Sequence, residues 1–272
     1  MSFVLLAAIF TSSASAATKH INEKSIKSYI QKHKGIVGVY YENTTNNDSF
    51  QYQATKVTRA ASTIKLPLVT YVMEQASKGK VDLNKKLTYH SYEYNEGSGI
   101  IQYDKVGTKY TIRTLVKYAV VYSDNIAFVM LRNYVGKSNF IAYCKSLGGK
   151  HLYENGVNVT TAKDMEAYMK YFQKFSQSHN LGKELEGYLT KTIYNDYIPK
   201  GIPKNVTIAH KVGMIPESNI YNDVAIVKDK HPYILVILTK DKKGPTIISG
   251  LSEIIHQEHI KANKEIKTSA LK

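Results

Sequence analysis

Ser62-Thr63-Ile64-Lys65 is the stretch on which the reading of this chain turns. If residues 62–76 are helical, positions i and i+3 share a face, and the Lys65 ammonium can reach the Ser62 hydroxyl. Serine is a poor nucleophile until an adjacent base takes its proton. Lysine serves as that base only where burial or a second cation lowers its pKa from about 10.4, and a drop of ~3 units corresponds to ~4 kcal/mol of differential solvation. A serine at a helix start also lies beside backbone N–H groups and the positive helix end, where a developing oxyanion is stabilised. Alone, the tetrapeptide fits a capping serine and a solvated lysine just as well.

Two more clusters change the weight of the first. Ser123-Asp124-Asn125 follows the apolar run 115–122 and precedes a short helical pattern over 126–134. By itself it reads as a turn whose Asp124 or Asn125 caps the next helix. Lys211-Val212-Gly213 lies in the β-rich stretch 207–215, where a glycine lets the backbone approach a ligand closely. By itself it reads as an edge strand with an exposed lysine. The three occur in order, with 61 positions from Ser62 to Ser123 and 88 from Ser123 to Lys211.

On these residues the chain resembles the class A β-lactamases and related penicillin-recognising serine hydrolases, whose signature is S-x-x-K, then S-D-N, then K-T-G. Residues 61–71 resemble the nucleophile helix, 97–115 the segment leading into S-D-N, and 160–165 the segment that opens a helix after the Ω loop. The resemblance implies a β-lactamase/transpeptidase-like α/β fold: an antiparallel sheet flanked by N- and C-terminal helices, plus an all-α lobe. It implies that Ser62 is acylated, that Lys65 exchanges its proton and that Ser123 relays a proton to the leaving nitrogen. Asn125 would hold the substrate's side-chain amide, Lys211 would face its carboxylate, and Gly213 would let the strand approach. The backbone N–H groups of Ser62 and Met214 would form the oxyanion hole.

Two departures from the pattern bear on activity. Val212 stands where the family has Thr or Ser, so a hydroxyl that contacts the substrate carboxylate is missing, a bond worth ~1 kcal/mol or more. Ser218 and Asn219 are the nearby polar side chains that could take its place. The stretch between Asn125 and Thr160 is also short for an Ω loop. Glu154 and Asn158 have the family's spacing for the pair that activates the deacylating water, but they lie almost against Thr160. Glu154 therefore reads either as the deacylation base or as a surface residue in a glycine-containing turn. Glu166 reads as an exposed helix residue outside the site.

With 272 residues, 43% of them hydrophobic, the chain can bury a large core. No apolar run is long enough to span a bilayer. Residues 3–10 are apolar, and Ala14-Ser15-Ala16 before Ala17 resembles a signal-peptidase site, so residues 1–16 read as a signal peptide and the protein as secreted or wall-associated. The single cysteine, Cys144, rules out an internal disulfide and reads as a core residue. The net charge of +15 suits anionic cell-wall polymers or a solvated basic surface. No nucleic-acid motif accompanies the charge, and no metal or cofactor is expected; His256 and His259 lack a third ligand at matching spacing. Tyr92, Tyr94, Tyr103 and Tyr122 are candidates for lining a cleft, and His210 for facing away from it.

Residues 21–33 read as an amphipathic helix, 36–41 and 49–53 as a hairpin, and 221–227 and 233–239 as further strands. Ile247, Ile248, Leu251, Ile254 and Ile255 form one helical stripe. The domain expectation is thus a discontinuous α/β lobe of residues 17–61 and 195–272 around a helical lobe of 62–194. Pro67 is awkward in a helix begun at residue 62. The expected function is an exported serine hydrolase that opens β-lactams through an acyl-enzyme, with slow turnover. The alternatives are a D-alanyl-D-alanine carboxypeptidase or other cell-wall hydrolase, and a low-turnover binding module for penicillins or muropeptides. Its expected partner is a β-lactam or a peptidoglycan stem peptide, and it is expected to be a monomer.

Overall fold

The run Tyr233-Ile234-Leu235-Val236-Ile237-Leu238 is apolar without alternation, as a strand must be when both faces of its sheet are covered. In the computed structural model, which describes residues 20–269, this run is the middle strand of a five-stranded antiparallel sheet. The expected signal peptide, residues 1–16, lies outside the described residues.

The chain begins with helix α1 (Glu23–Ile30) and strands β1 (Ile36–Asn43), β2 (Ser49–Tyr52) and β3 (Thr58–Arg59). Helix α2 (Lys65–Ser77) is followed by the hairpin β4 (Lys86–Thr88) and β5 (Lys109–Thr111), then α3 (Ile112–Val121), α4 (Asn125–Val135) and α5 (Lys137–Ser146). A second short hairpin, β6 (Tyr153–Glu154) and β7 (Val157–Thr160), leads into α6 (Ala162–Ser178) and α7 (Asn180–Leu189). Strands β8 (Thr207–Ile215), β9 (Ile220–Lys228) and β10 (Tyr233–Lys240) then precede α8 (Gly244–Ser269). The large sheet has the order β2-β1-β10-β9-β8, which leaves β8 at one edge.

Alternation along β10 divides the interior into two cores. Tyr233, Leu235 and Ile237 are buried with Ile26 and Ile30 of α1 and with Ile247, Ile248, Leu251 and Ile255 of α8. Ile234, Val236 and Leu238 are buried on the other face with Leu66 and Val69 of α2 and Met165, Met169 and Phe172 of α6. Truncating one of these leucines or isoleucines to alanine costs about 2–5 kcal/mol. Cys144 lies in the second core, where burial pushes its thiol up to about 12.

Several expectations need correction. Residue 62 does not begin an α-helix: Ala61–Ile64 is a 3-10 turn, and α2 starts at Lys65. Pro67 therefore sits in the first turn, where its missing N–H has no intrahelical acceptor to lose, and it is well tolerated there. The stretch expected to be helical, residues 62–194, also carries β4 to β7, of which β4 and β5 pair with each other and β7 pairs with β3. Glu166 is buried, not exposed, and forms ion pairs with Lys163 at 2.9 Å and Lys170 at 2.8 Å. Lys170 also reaches Glu42 of β1 at 2.7 Å. Burial works against ionisation of Glu166, but the two lysines outweigh it and hold the carboxyl below its ordinary pKa. His256 and His259 are bonded to tyrosines: Tyr233 Oη lies 3.0 Å from His256 Nδ1, and Tyr41 Oη 2.7 Å from His259 Nδ1.

Candidate active site

Ser62 sits on the 3-10 turn between β3 and α2, behind Ala61 in the left-handed region (φ 48°). Three contacts fix this turn. Thr63 Oγ1 donates to Ala60 O at 2.7 Å, and Asn222 Nδ2 of β9 donates to Arg59 O at 2.8 Å and Ala60 O at 3.2 Å. Gly213 supplies the third. A Cβ there would lie 2.8 Å from Ala60 O, Ser62 N and Thr63 N, so only glycine lets β8 lie this close to the turn. The close approach foreseen at Gly213 is thus made to the turn that carries Ser62.

Ser123 follows α3 with a left-handed backbone (φ 53°), and Asp124 caps α4 by accepting from Ala127 N at 2.8 Å. The other oxygen of Asp124 accepts from Ile100 N at 2.7 Å and Ile101 N at 2.9 Å, which ties the preceding loop to the start of α4. That loop sends Ser98 Oγ to Ser123 O at 2.7 Å. Asn125 is held at both ends, its Nδ2 donating to Glu96 O at 2.8 Å and its Oδ1 accepting from Lys65 Nζ at 2.7 Å.

Both lysines point into the junction. Lys65 Nζ donates to Ser123 O and, at 3.3 Å, to Ser123 Oγ; its hydrogen bonds among the described residues go to Ser123 and Asn125, not to Ser62. Lys211 Nζ donates to Ser123 Oγ at 2.9 Å and to Val212 O at 2.7 Å. Lys211 is fully buried, although its strand is at the sheet edge, so the reading of an exposed edge lysine does not hold. Burial drives the Lys65 pKa well below its ordinary value, the neighbouring Lys211 lowers it further, and Asp124 only partly opposes this. Burial also lowers Lys211, to about 7, against the pull of Asp223. An amine so placed can give up its proton near neutral pH and act as a base.

Ser62 lies at the meeting of two cavities. One, of about 370 Å³, is bounded by Ser98, Ser123, Asn125, Val212, Glu96 and Glu217. The other, of about 320 Å³, reaches Lys65, Phe128, Gly156 and Asn158. Ser62, Asn125 and Met214 line both. Glu154 lines neither: it lies exposed on β6, with Oε1 2.6 Å from His151 Nδ1. Asn158 does line the second cavity, and its Oδ1 is buried with no hydrogen-bond partner among the described residues. Val212 is buried in the core beneath α8, and neither Ser218 nor Asn219 lines the first cavity. Tyr92, Tyr94 and Tyr103 are exposed at 74%, 55% and 82% and line neither cavity, nor does Tyr122. His210 is buried against Asp223 and Asn195.

This arrangement of a serine turn, two buried lysines and a bridging serine can be set beside known proteins. The model of the beta-lactamase enzyme family matches residues 22–259. The chain belongs to that family. Beta-lactamase SME-1 of Serratia marcescens is 24% identical, over 89% of this chain and 92% of its own. Beta-lactamase 3 of Bacillus cereus is 26% identical, over 83% and 77%. The structure of PBP-A superposes with a TM-score of 0.82 at 24% identity, over 88% of this chain and 96% of that one. A PBP-A variant solved as an acyl-enzyme complex with penicillin G gives 0.82 at 23%, over the same shares. The beta-lactamase from Sphaerobacter thermophilus gives 0.79 at 19%, over 88% and 99%. The fold is that of the class A beta-lactamases.

Sequence reasoning did not single out four residues at this junction: Ser98, Asn222, Glu96 and Glu217. Ser98 carried a signal, because Gly97 and Gly99 on either side (φ 123° and 116°) mark a tightly folded loop. Asn222 had none, since its carbonyl partners lie on a segment far away in sequence.

Proposed function

We propose that this protein is an exported serine acyl-enzyme hydrolase that reacts with β-lactams and with D-alanyl amides of the cell-wall type, forming an ester on Ser62 and releasing it slowly. The observation that carries this reading is the convergence of Lys65 and Lys211 on Ser123 Oγ beside the Ser62 turn. In the neutral form Lys65 takes the Ser62 proton as Oγ attacks the carbonyl carbon. The tetrahedral oxyanion is held by the backbone N–H groups of Ser62 and Met214, and removing one such donor typically costs ~10²–10³-fold in rate. Ser123 passes a proton to the leaving nitrogen, and the C–N bond breaks. Lys211 keeps Ser123 oriented.

Slow release is favoured by the exposure of Glu154 and its pairing with His151, which leave no carboxylate among the residues lining the second cavity, on the Asn158 side of Ser62. A general base must lie within hydrogen-bond reach of its water. The same feature favours a D-alanyl-D-alanine carboxypeptidase, for which β-lactams are long-lived inhibitors, over a fast β-lactamase. Labelling with a fluorescent penicillin tests the whole reading. One adduct per chain is expected by intact mass, and Ser62→Ala abolishes it. An adduct on another serine, or labelling that survives in the variant, overturns the assignment; no adduct at all would mark a binding module.

A further inference from the structure

Among the described residues six large apolar side chains are exposed, and five of them, Tyr92, Tyr94, Ile100, Tyr103 and Val106, lie between β4 and β5. A cluster of exposed apolar side chains, unlike scattered single ones, marks an interaction surface. The loop that carries these five is firmly held. Its base is closed by Tyr89 N donating to Thr108 O at 2.8 Å and Gly107 N to Tyr89 O at 2.8 Å. Gln102 Nε2 donates to Gly97 O at 2.7 Å and Gly99 O at 2.9 Å, and the buried Glu93 accepts from His90 N at 2.9 Å. With the bonds to Asp124 already described, these hold the chain while its rings stay in solvent. The ring of Tyr92 is also stacked on His90, with centroids 5.1 Å apart and planes inclined by 7°. Rings fixed in this way bind without the ordering cost of a flexible loop.

Charge, side-chain chemistry and position indicate what fits this surface. No lysine or arginine occurs between Lys86 and Lys105, although the chain has 37 of them, and the acidic residues there are Glu93, Glu96 and Asp104. An anionic polymer or an anionic membrane face finds no basic side chain on this stretch. Three of the five exposed side chains are tyrosines, whose rings pack against C–H groups while the hydroxyl meets polar ones. The same loop walls the reaction site: Asn95 lines the second cavity, and Glu96, Gly97 and Ser98 line the first. We propose that residues 90–106 form a saccharide platform, on which an uncharged chain of N-acetylated amino sugars lies while the peptide it carries enters the adjoining cavity. The inference deepens the acyl-enzyme reading by naming the part of a cell-wall substrate that lies beyond the peptide, but the saccharide contact itself uses neither Ser62 nor Lys65. A pyranose ring offers a face of C–H groups for a tyrosine ring to cover, and edge hydroxyl and acetamido groups that suit phenol oxygens and carboxamides.

N-acetylchitotetraose, a neutral β-linked tetrasaccharide, is the probe, titrated by calorimetry into the parent and into Ser62→Ala. Both should bind it, and raising salt to about 0.5 M should leave the affinity unchanged, as for an uncharged ligand. Removing both rings in Tyr92→Ala, Tyr103→Ala should weaken binding about 10-fold, whereas Tyr92→Phe, Tyr103→Phe, which retains the ring faces, should keep most of it. Neither ring lines a cavity, so penicillin labelling of Ser62 in both double variants should stay within about two-fold of the parent, which also checks their folding. A D-alanyl-D-alanine stem peptide carried on its disaccharide should show a KM about 10-fold below that of the bare peptide, a gain the alanine variant loses at unchanged kcat. Failure of the parent to bind the tetrasaccharide overturns the proposal, as does equal binding by the alanine variant or binding of polyglycerol phosphate in its place. A parent that dimerises through this loop, with the dimer lost in the alanine variant, overturns it too and assigns the surface to a second copy. If the tetrasaccharide binds but penicillin never labels Ser62, the platform stands and the acyl-enzyme reading fails.

Discussion

On the proposed reading, Lys65 is the residue on which the chemistry of the site turns, because its amine is useful as a base only without its proton. Burial, reinforced by Lys211, holds its pKa well below the ordinary lysine value, which shifts the amine toward its neutral form. The sign of the pH dependence follows: acidification protonates Lys65 and slows acylation, while alkalinisation restores it until other groups titrate. Lys65→Arg should lower the acylation rate by about 10²–10⁴-fold, because guanidinium keeps its charge at every accessible pH. The check is the penicillin acylation rate from pH 5 to 9, compared between parent and variant. A variant that acylates as fast as the parent would remove Lys65 from the role of base. The Ser62–Lys65 spacing was read in sequence as one α-helical face, whereas Ser62 stands on a 3-10 turn and the ammonium goes to Ser123 and Asn125. Its partners, Ser123 and Asn125, come from a segment that only the fold brings near.

At the scale of an element, the acyl-enzyme reading proposed above makes the hairpin β6–β7 the part that sets the fate of the adduct. Its two strands leave Glu154 on the outer face beside His151, while Asn158 lines the cavity beside Ser62. Glu154→Gln should therefore leave both acylation rate and adduct lifetime within a few-fold of the parent, as timed intact-mass spectra would measure. A variant that traps the adduct by ~10²-fold would place the carboxylate within reach of water in the working enzyme. Elements whose burial is written in their own residues were legible: the unbroken apolar run of β10, and the α8 stripe Ile247, Leu251, Ile255. Elements fixed by distant partners were not. The turn Ala61–Ile64 departs from the α-helical path, with Asn222 and Gly213, far along the chain, packed against it. Glu166 looked exposed because one of the residues that bury its charge network, Glu42, lies on β1; Lys163 and Lys170, three before and four after it, were the local hint.

For the whole molecule, the packing of α8 on the sheet sets the response of stability to acid. His259, wholly buried beside Tyr41 and Tyr233, is pushed down to about 4 by burial, and His256 is lowered for the same reason. Below about pH 6.5 the unfolded chain binds a proton that the folded one refuses, so stability declines from there to about pH 4 and this contribution then levels off. The full loss from His259 is on the order of 3 kcal/mol. His259→Gln, which keeps an acceptor for Tyr41, should flatten that slope in urea titrations at pH 6.5 and 4.5; an unchanged slope would assign it elsewhere. The same sheet has a further consequence, for the order of events in folding. Ile36 of β1 lies opposite Lys240 of β10, so closing the sheet spans about three quarters of the chain, a pairing that is slow because loop-closure entropy is met before any contact forms. A chain made from its N-terminus carries Ser62 and Lys65 long before β8 exists to seat Gly213 against their turn. On the proposed acyl-enzyme reading, the nucleophile is thus born idle, and competence to acylate arrives only with the last strands. Penicillin capture during refolding would then time the closing of the sheet, and a nascent chain would stay inert toward acyl donors until then.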